Sequence, residues 1–329
     1  MKLIVQIPCY NEEQTLPQTV ADIPRQIEGV DSVEILVIDD GSTDRTVEVA
    51  RQIGVDHIIR NRTNKGLARS FRAGLDACLK LGADIIVNTD GDNQYAGRDI
   101  PKLIRPILEG KADIVVGDRQ TDRIEHFSTM KKLLQRLGSG VVRRLSGTDV
   151  PDAVSGFRAI SREAALRLNI VSPFSYTVEM LIQAGKKHMA IASVPIATNP
   201  KTRESRLFRS IPKFIERSLT TMVRMYAMYQ PLRFFFYIGL VLLLVGLLPI
   251  ARFLFYYFTG DGAGHIQSLI LGGALVVIGV VTFLIGLLAD LINFNRQLLE
   301  MTLERVRRLE LRDAASDAEA GAPPPRSSR

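Results

Sequence analysis

Asp90 and Asp92 stand one residue apart in Asn88-Thr89-Asp90-Gly91-Asp92-Asn93-Gln94, directly after the apolar stretch Ala83-Asp84-Ile85-Ile86-Val87. That stretch reads as a buried strand, so two carboxylates leave its end together and can converge on one divalent cation. Hard cations such as Mg²⁺ or Mn²⁺ take carboxylate oxygens and share their shell with phosphates. A cation held in this way neutralises a nucleotide diphosphate as it departs. Alone, an Asp-x-Asp pair is more often a polar turn, because short motifs recur by chance. The surrounding elements decide between the two.

Those elements alternate. A strand over 2–8 runs into Pro8-Cys9-Tyr10-Asn11-Glu12-Glu13 and a helix over 13–27. A second strand, 33–38, closes on Asp39-Asp40-Gly41-Ser42 and precedes a helix over 43–53. A short strand over 55–59, an amphipathic helix over 67–81, the central strand 85–89, a helix over 100–109 and a strand over 114–116 follow, the last ending at Gly117-Asp118-Arg119. This order predicts an α/β domain with a mostly parallel sheet covered on both faces. Sites in such sheets lie outside the carboxyl ends of the strands. Polar clusters at 10–13, 39–42, 90–94 and 118–119 all fall there.

The chain has 329 residues, 46% of them hydrophobic, and a formal net charge of +7. A nucleic-acid partner is disfavoured, because many basic residues cluster over 201–233 and 296–312, beside two apolar runs, which points to a membrane surface. Two cysteines, Cys9 and Cys78, build neither a disulfide framework nor a Cys-rich metal site. The first residues are strand-like, so no cleavable signal peptide is expected.

The apolar runs, 234–251 and 266–289, carry no charge, and each is near the ~20 residues that cross a bilayer. The connector 259–265 has no Lys or Arg, whereas Arg217, Arg224 and Arg233 precede the first run and Arg296, Arg305, Arg307 and Arg308 follow the second. A two-pass protein of the cell membrane with both termini cytoplasmic is expected. Residues 208–232 and 293–312 read as amphipathic helices at that surface. Residues 313–329, rich in Ala, Pro and Ser, read as disordered. The resulting division is 1–207, 208–232, 233–258, 266–292, 293–312 and 313–329. Gly272, Gly273 and Gly279 allow close helix packing, which leaves a homo-oligomer open.

The motifs Ile7-Pro8-Cys9-Tyr10-Asn11-Glu12-Glu13, Ile38-Asp39-Asp40-Gly41-Ser42-Thr43-Asp44, Asn64-Lys65-Gly66, Asp90-Gly91-Asp92 with Gln94, and Ser155-Gly156-Phe157-Arg158 resemble those of family 2 glycosyltransferases with the GT-A fold. They are most similar to the polyprenyl-phosphate glycosyltransferases, over roughly residues 2–207. The resemblance implies a nucleotide-diphosphate sugar donor, UDP- or GDP-linked, a polyprenyl phosphate or other lipid acceptor, and Mg²⁺ or Mn²⁺. It implies that Pro8, Tyr10, Asn11 and Glu12 line the base and ribose, and that Asp40, with Asp39, accepts from the base. Lys65 and Gly66 would lie over the nucleotide. Asp90 and Asp92 would hold the metal, supported by Gln94, and Arg119 would approach phosphate or sugar. Residues 155–158 would form part of the acceptor face. Asp152 and Glu179 are the candidate general bases, needed if the acceptor is a hydroxyl.

Other residues have plainer readings. Asp44 suits a helix cap, Gly74 helix packing, Arg143 and Arg144 a solvated pair, and Glu12 a first-turn acid. The sequence departs from the family at Asn199-Pro200-Lys201-Thr202-Arg203-Glu204-Ser205-Arg206: Pro200 stands where an Arg is expected, and Arg206 takes the place of a Lys. Arg206 is therefore a candidate phosphate contact, with Lys201 or Arg203 supplying the missing charge.

Three rivals remain. A processive polysaccharide synthase needs a Gln-x-x-Arg-Trp segment, and the chain has no Trp. A dinucleotide or NTP enzyme needs G-x-G-x-x-G or G-x-x-x-x-G-K-[ST], and neither occurs in place. A membrane scaffold that only binds nucleotide sugars is separated from an enzyme by a transfer assay.

Overall fold

A computed structural model describes residues 1–120, 138–144, 146–171, 176–200, 219–220, 223–224, 226–260 and 263–320. The chain divides into two compact units, Met1–Ser218 with Leu303–Arg329, and Leu219–Thr302.

The first unit is built on strands β1 (Lys2–Cys9), β2 (Ser32–Asp39), β3 (His57–Arg60), β4 (Ile85–Asn88), β5 (Ile114–Asp118), β6 (Arg158–Ser161) and β7 (Ile191–Pro195). They form one sheet in the order β3-β2-β1-β4-β6-β5-β7. β1 pairs in parallel with β2 and β4, β2 with β3, and β5 with β7; β6 runs against both β4 and β5. Six strands therefore share one direction, and the carboxyl ends of β1, β2, β4 and β5 lie along one edge. The strands are nearly continuous aliphatic runs because both faces are covered. Leu3, Val5, Ile7, Val33, Ile35, Val37, Ile85 and Val87 face a core that includes Ile100, Leu103 and Ile104 of α4 (Ile100–Leu108).

The other face meets α3 (Leu67–Lys80), whose Ala68, Phe71, Leu75, Cys78 and Leu79 recur at helical spacing and are buried, while Arg69, Arg72 and Lys80 are exposed. Gly74 is the point of closest approach: a Cβ there would stand 2.4 Å from Gln6 Oε1 and 2.9 Å from Ile38 Cδ1. The packing reading of Gly74 holds.

Helix α1 covers only Leu16–Ala21, not 13–27. Pro24 denies the residue before it a helical conformation, so the helix stops early. Helix α2 spans Thr46–Gln52, and α5 (Arg162–Arg167) and α6 (Tyr176–Lys186) follow later in the chain.

The second unit holds α7 (Pro231–Phe258) and most of α8 (Ile266–Ala320). Both contain windows long and apolar enough to cross a membrane, with only 11% of each window buried. A core helix of a soluble domain would be covered instead. The two helices meet through glycines spaced seven apart on each. A Cβ on Gly239 would lie 2.8 Å from Gly279 O, and one on Gly272 would lie 2.6 Å from Gly246 O. Gly272 and Gly279 are thus used within the chain, whereas nothing lies within 4 Å of a Cβ on Gly273.

Helix α8 runs on through 293–312 as one helix and reaches Ala320. No Gly or Pro interrupts that stretch, so nothing forces the break expected near 292 or the irregular tail expected from 313. Residues 321–329, and most of 208–232, lie outside the described residues. Within the first unit Arg307 Nη1 donates to Leu168 O at 2.9 Å, at the carboxyl end of α5, and Arg307 also pairs with Asp76 at 3.4 Å. Arg308 pairs with Glu163 and Glu304. A guanidinium at the last carbonyls of a helix complements its dipole.

Replacing Gly239 by Leu drives a side chain onto the backbone of the neighbouring helix. It is expected to destabilise the helix pair by roughly 1–3 kcal/mol, read as a lower melting temperature of the detergent-purified protein. Gly273→Leu, facing open space, is expected to leave that temperature unchanged.

Candidate active site

Turn 10–13, beyond β1, is latched to turn 42–46, beyond β2. Asn11 takes a left-handed backbone (φ 55°), which Asn tolerates. Its Oδ1 accepts from Thr43 N at 2.8 Å, and its N–H donates to Ser42 Oγ at 2.9 Å. Asp44 accepts from Thr46 N and Thr46 Oγ1 on one oxygen and from Glu13 N on the other, so it works at the start of α2 and joins the two turns. Pro8 lies in β1 opposite Ile38, and Tyr10 is 39% exposed at the rim.

Glu12 is not on that rim. It is buried, its N–H donates to Thr46 Oγ1, and its Oε2 accepts from Thr15 Oγ1. Thr15 Oγ1 also lies 2.7 Å from Gly91 O. A Cβ on Gly91 would stand 3.0 Å from Cys9 Sγ and 3.2 Å from Glu12 Cγ. Glu12 and Cys9 therefore support the Asp-Gly-Asp segment from beneath, and glycine at its centre is what lets them approach. Burial pushes the Cys9 thiol well up, so it stays protonated.

Asp40 holds the loop after β3. Its Oδ1 accepts from Lys65 N at 3.0 Å and Asn61 Nδ2 at 2.9 Å, and its Oδ2 accepts from Gly66 N at 2.8 Å. Gly66 has φ 90° and starts α3, which explains the glycine; the Lys65 side chain is exposed. Asp39 is fully buried. Its Oδ1 accepts from Ser42 N, while its Oδ2 has no hydrogen bond and lies 3.4 Å from Arg60 Nε. Of the pair expected to meet the base, Asp40 anchors the 61–66 loop, and the buried Asp39 keeps an oxygen with no hydrogen bond.

Asp90 and Asp92 are both half-buried beyond β4. Asp92 Oδ1 accepts from Gln94 N at 3.2 Å, so Gln94 supports Asp92 through its main chain. Asp90 lies against Gly156: a Cβ there would stand 3.2 Å from each of its carboxylate oxygens. Among the described residues no group of three His, Cys, Asp or Glu side chains is assembled to hold an ion. Two half-buried carboxylates with hard oxygens still fit a cation that takes its other ligands from phosphate and water. A cavity of about 440 Å³ opens beside Asn93, between Gln18, Asp22, Arg98 and Asn199, but neither Asp40 nor Asp90 lines it.

Arg119 and Asp152 are brought together with each other. Arg119 Nε donates to Asp152 Oδ2 at 2.7 Å, and Nη2 donates to Oδ1 at 3.0 Å. Burial acts to lower the guanidinium's pKa, but the facing Tyr95 and Asp152 together hold it above its usual value. This bidentate pair fixes where Arg119 points and occupies both oxygens of one base candidate. Glu179, the other, is buried, with both oxygens near Val171 N and one 3.3 Å from Gln183 Nε2. It ties α6 to the 169–171 turn, which is a structural task.

Arg158 is likewise internal, not part of an acceptor face. Its guanidinium donates to Ser155 O, Thr177 O and Ala153 O at 2.7–2.8 Å, and burial pushes its pKa down to about 10. Arg206, with Lys201 and Arg203, lies outside the described residues.

The sequence reading passed over Asn88, Tyr95 and the hydroxyl of Tyr176. All three are buried and converge on Gly156, beside Asp90. Their one signal was a polar residue closing an otherwise aliphatic strand.

The profile described as "Glycosyl transferase family 2" matches residues 4–168. The chain belongs to this family. As a family 2 glycosyltransferase it is 28% identical to Glycosyltransferase AglJ of Haloferax volcanii, over 92% of this chain and 95% of that one. It is 33% identical to the UDP-N-acetylglucosamine–dolichyl-phosphate N-acetylglucosaminyltransferase of Methanococcus voltae, over 58% of this chain and 83% of the relative. In fold, this glycosyltransferase is similar to glucosyl-3-phosphoglycerate synthase of Mycobacterium tuberculosis, solved with Mn²⁺, UDP-glucose and phosphoglyceric acid (TM-score 0.53, 23% identity, 68% of this chain and 79% of the other).

Arg158→Met strips three buried carbonyls of their donor and is expected to lower stability by about 3 kcal/mol or more, measured by denaturant or thermal unfolding. Asp40→Asn turns an amide N–H₂ toward backbone N–H groups that need an acceptor. It is expected to raise the Michaelis constant for the sugar donor about ten-fold, with a smaller change in kcat.

Proposed function

We propose that this glycosyltransferase moves a sugar from a UDP- or GDP-linked donor to a polyprenyl or dolichyl phosphate at the cytoplasmic face of the membrane. The observation that carries the reading is the placement of Asp90 and Asp92 beyond the central strand of a sheet in which β1, β2 and β5 end on the same edge. The named acceptor of the Methanococcus voltae relative and the two apolar helices support a lipid phosphate. The connector between the helices carries no Lys or Arg, which supports cytoplasmic ends.

The residues take the following parts. The loop anchored by Asp40, backed by the buried Asp39, receives the base, with Tyr10 at the rim. Lys65 projects from that loop toward negative charge on the donor. Arg119, aimed by Asp152, meets phosphate or sugar, and Arg206 is a further phosphate contact. Asp90 and Asp92 hold Mg²⁺ or Mn²⁺, which when bound neutralises the charge developing on the leaving diphosphate. The acceptor oxygen attacks the anomeric carbon from the side opposite the diphosphate, so the configuration inverts. A phosphomonoester, with its second pKa near ~6, is largely ionised at neutral pH and needs no general base. That fits a site in which Glu179 is buried in structural bonds and Asp152 is bound to Arg119.

The test is a transfer assay on purified membranes with labelled UDP- and GDP-sugars, Mg²⁺ or Mn²⁺, and polyprenyl phosphate. A labelled lipid that is cleaved by mild acid, absent with EDTA and absent in Asp92→Ala is the expected result. Label in an acid-stable glycolipid would replace the phosphate acceptor by a lipid hydroxyl. No product with any donor, alongside intact nucleotide-sugar binding, would favour the scaffold reading.

A further inference from the structure

Behind Asp90 lies a frame of buried polar groups that the donor and acceptor roles do not use. Asn88 closes β4, two residues before Asp90. Its neighbours in β4 are Ile85, Ile86 and Val87, and the position is fully buried. A carboxamide there costs free energy unless every polar atom finds a partner.

All of them do, each on a different element. Asn88 Oδ1 accepts from Gln6 Nε2 on β1 at 2.9 Å. Asn88 Nδ2 donates to Gly156 O at 2.8 Å and to Tyr176 Oη at 3.1 Å. The other main-chain group of Gly156, its N–H, donates to Tyr95 Oη at 2.8 Å. Both tyrosines are clamped by rings: Tyr176 stacks on Phe71 at 4.0 Å between centroids, and Tyr95 stacks on Phe157 at 5.3 Å. Gly156 is therefore pinned at both its N–H and its C=O, and a Cβ added to it would stand 3.2 Å from both oxygens of Asp90, so the glycine borders that carboxylate.

We propose that Asn88 is the positioning residue of the metal-ligating carboxylate: it fixes Gly156, and Gly156 fixes the orientation of Asp90. This rests on the reading of Asp90 and Asp92 as the cation and diphosphate site. The cation-binding geometry is then preorganised by hydrogen bonds from β1, the 155–157 loop and α6, and does not have to be assembled when the donor binds. Two substitutions disturb the frame from different sides. Asn88→Asp keeps the shape but turns acceptors toward Gly156 O and Tyr176. Gly156→Ala keeps the Asn88 side chain and puts a methyl 3.1 Å from Tyr176 Oη and 3.2 Å from both Asp90 oxygens.

The experiment titrates Mn²⁺ into detergent-purified full-length protein with UDP or GDP present, whichever the wild type binds. It follows the free Mn²⁺ signal by electron paramagnetic resonance and records a nucleotide titration without metal. In Asn88→Asp and in Gly156→Ala, Mn²⁺ affinity is expected to fall about ten- to a hundred-fold while metal-free nucleotide affinity is unchanged. Tyr176→Phe, which removes one of the bonds at Asn88, is expected to fall between wild type and Asn88→Asp. If Asn88→Asp does not fold, Gly156→Ala decides alone. Wild-type Mn²⁺ affinity in a folded Gly156→Ala or Asn88→Asp protein would overturn the positioning role and leave the site reading intact. Failure of the wild type itself to bind Mn²⁺ with either nucleotide would overturn both.

Discussion

The constraint on which the rest depends is directional: β1, β2, β4 and β5 all run one way, so the residues just beyond their ends share one edge of the sheet. The buried parts of those strands are aliphatic apart from Gln6, Asp39 and Asn88. What distinguishes the protein is the few residues after each strand, and the parallel arrangement gathers them without any of them being near the others in sequence. Placing so many carboxylates together has an electrostatic cost, and the structure offsets it residue by residue.

Each offset removes a charged group from the pool available to a ligand. Asp40 is taken by the Asn61 side chain and two backbone N–H groups, Asp152 by Arg119, and Glu179 by the turn at Val171. Arg158 serves three carbonyls. Toward the carboxyl edge of the sheet stand the exposed Lys65 and the half-buried Asp90 and Asp92. A frame in which most polar groups are already satisfied is stiff, and stiff dipoles stabilise a developing charge without reorganising when it appears. The fixed groups are thus part of how the site works, though they touch no substrate.

Much of this was legible in the sequence. The strand and helix alternation, the Asp-Gly-Asp strand end, the apolar runs and the family resemblance are periodic or local patterns, and such patterns survive reading without coordinates. The shortfalls have physical reasons. A buried anchor and an exposed ligand-binding carboxylate look identical as letters, so Asp40, Asp152, Glu12 and Glu179 were read for chemistry when burial gives them structural work. Arg158 sits in a motif that invites a functional reading, yet its partners are carbonyls at 153, 155 and 177, a contact no spacing rule reveals. Asn88, Tyr95 and Tyr176 meet only because β4, the 155–157 loop and α6 converge in space. The long α8 was split in two because hydropathy changes along it while helix propensity does not.

The most direct test of the account is an anomalous-scattering map from crystals of the protein grown with Mn²⁺ and the donor nucleotide. The account predicts a manganese peak between the diphosphate and the carboxylates of Asp90 and Asp92, with the base lying toward Asp39 and the loop held by Asp40. A nucleotide bound elsewhere, for example in the hollow beside Asn93 and Arg98, with no manganese at Asp90 and Asp92, would contradict it.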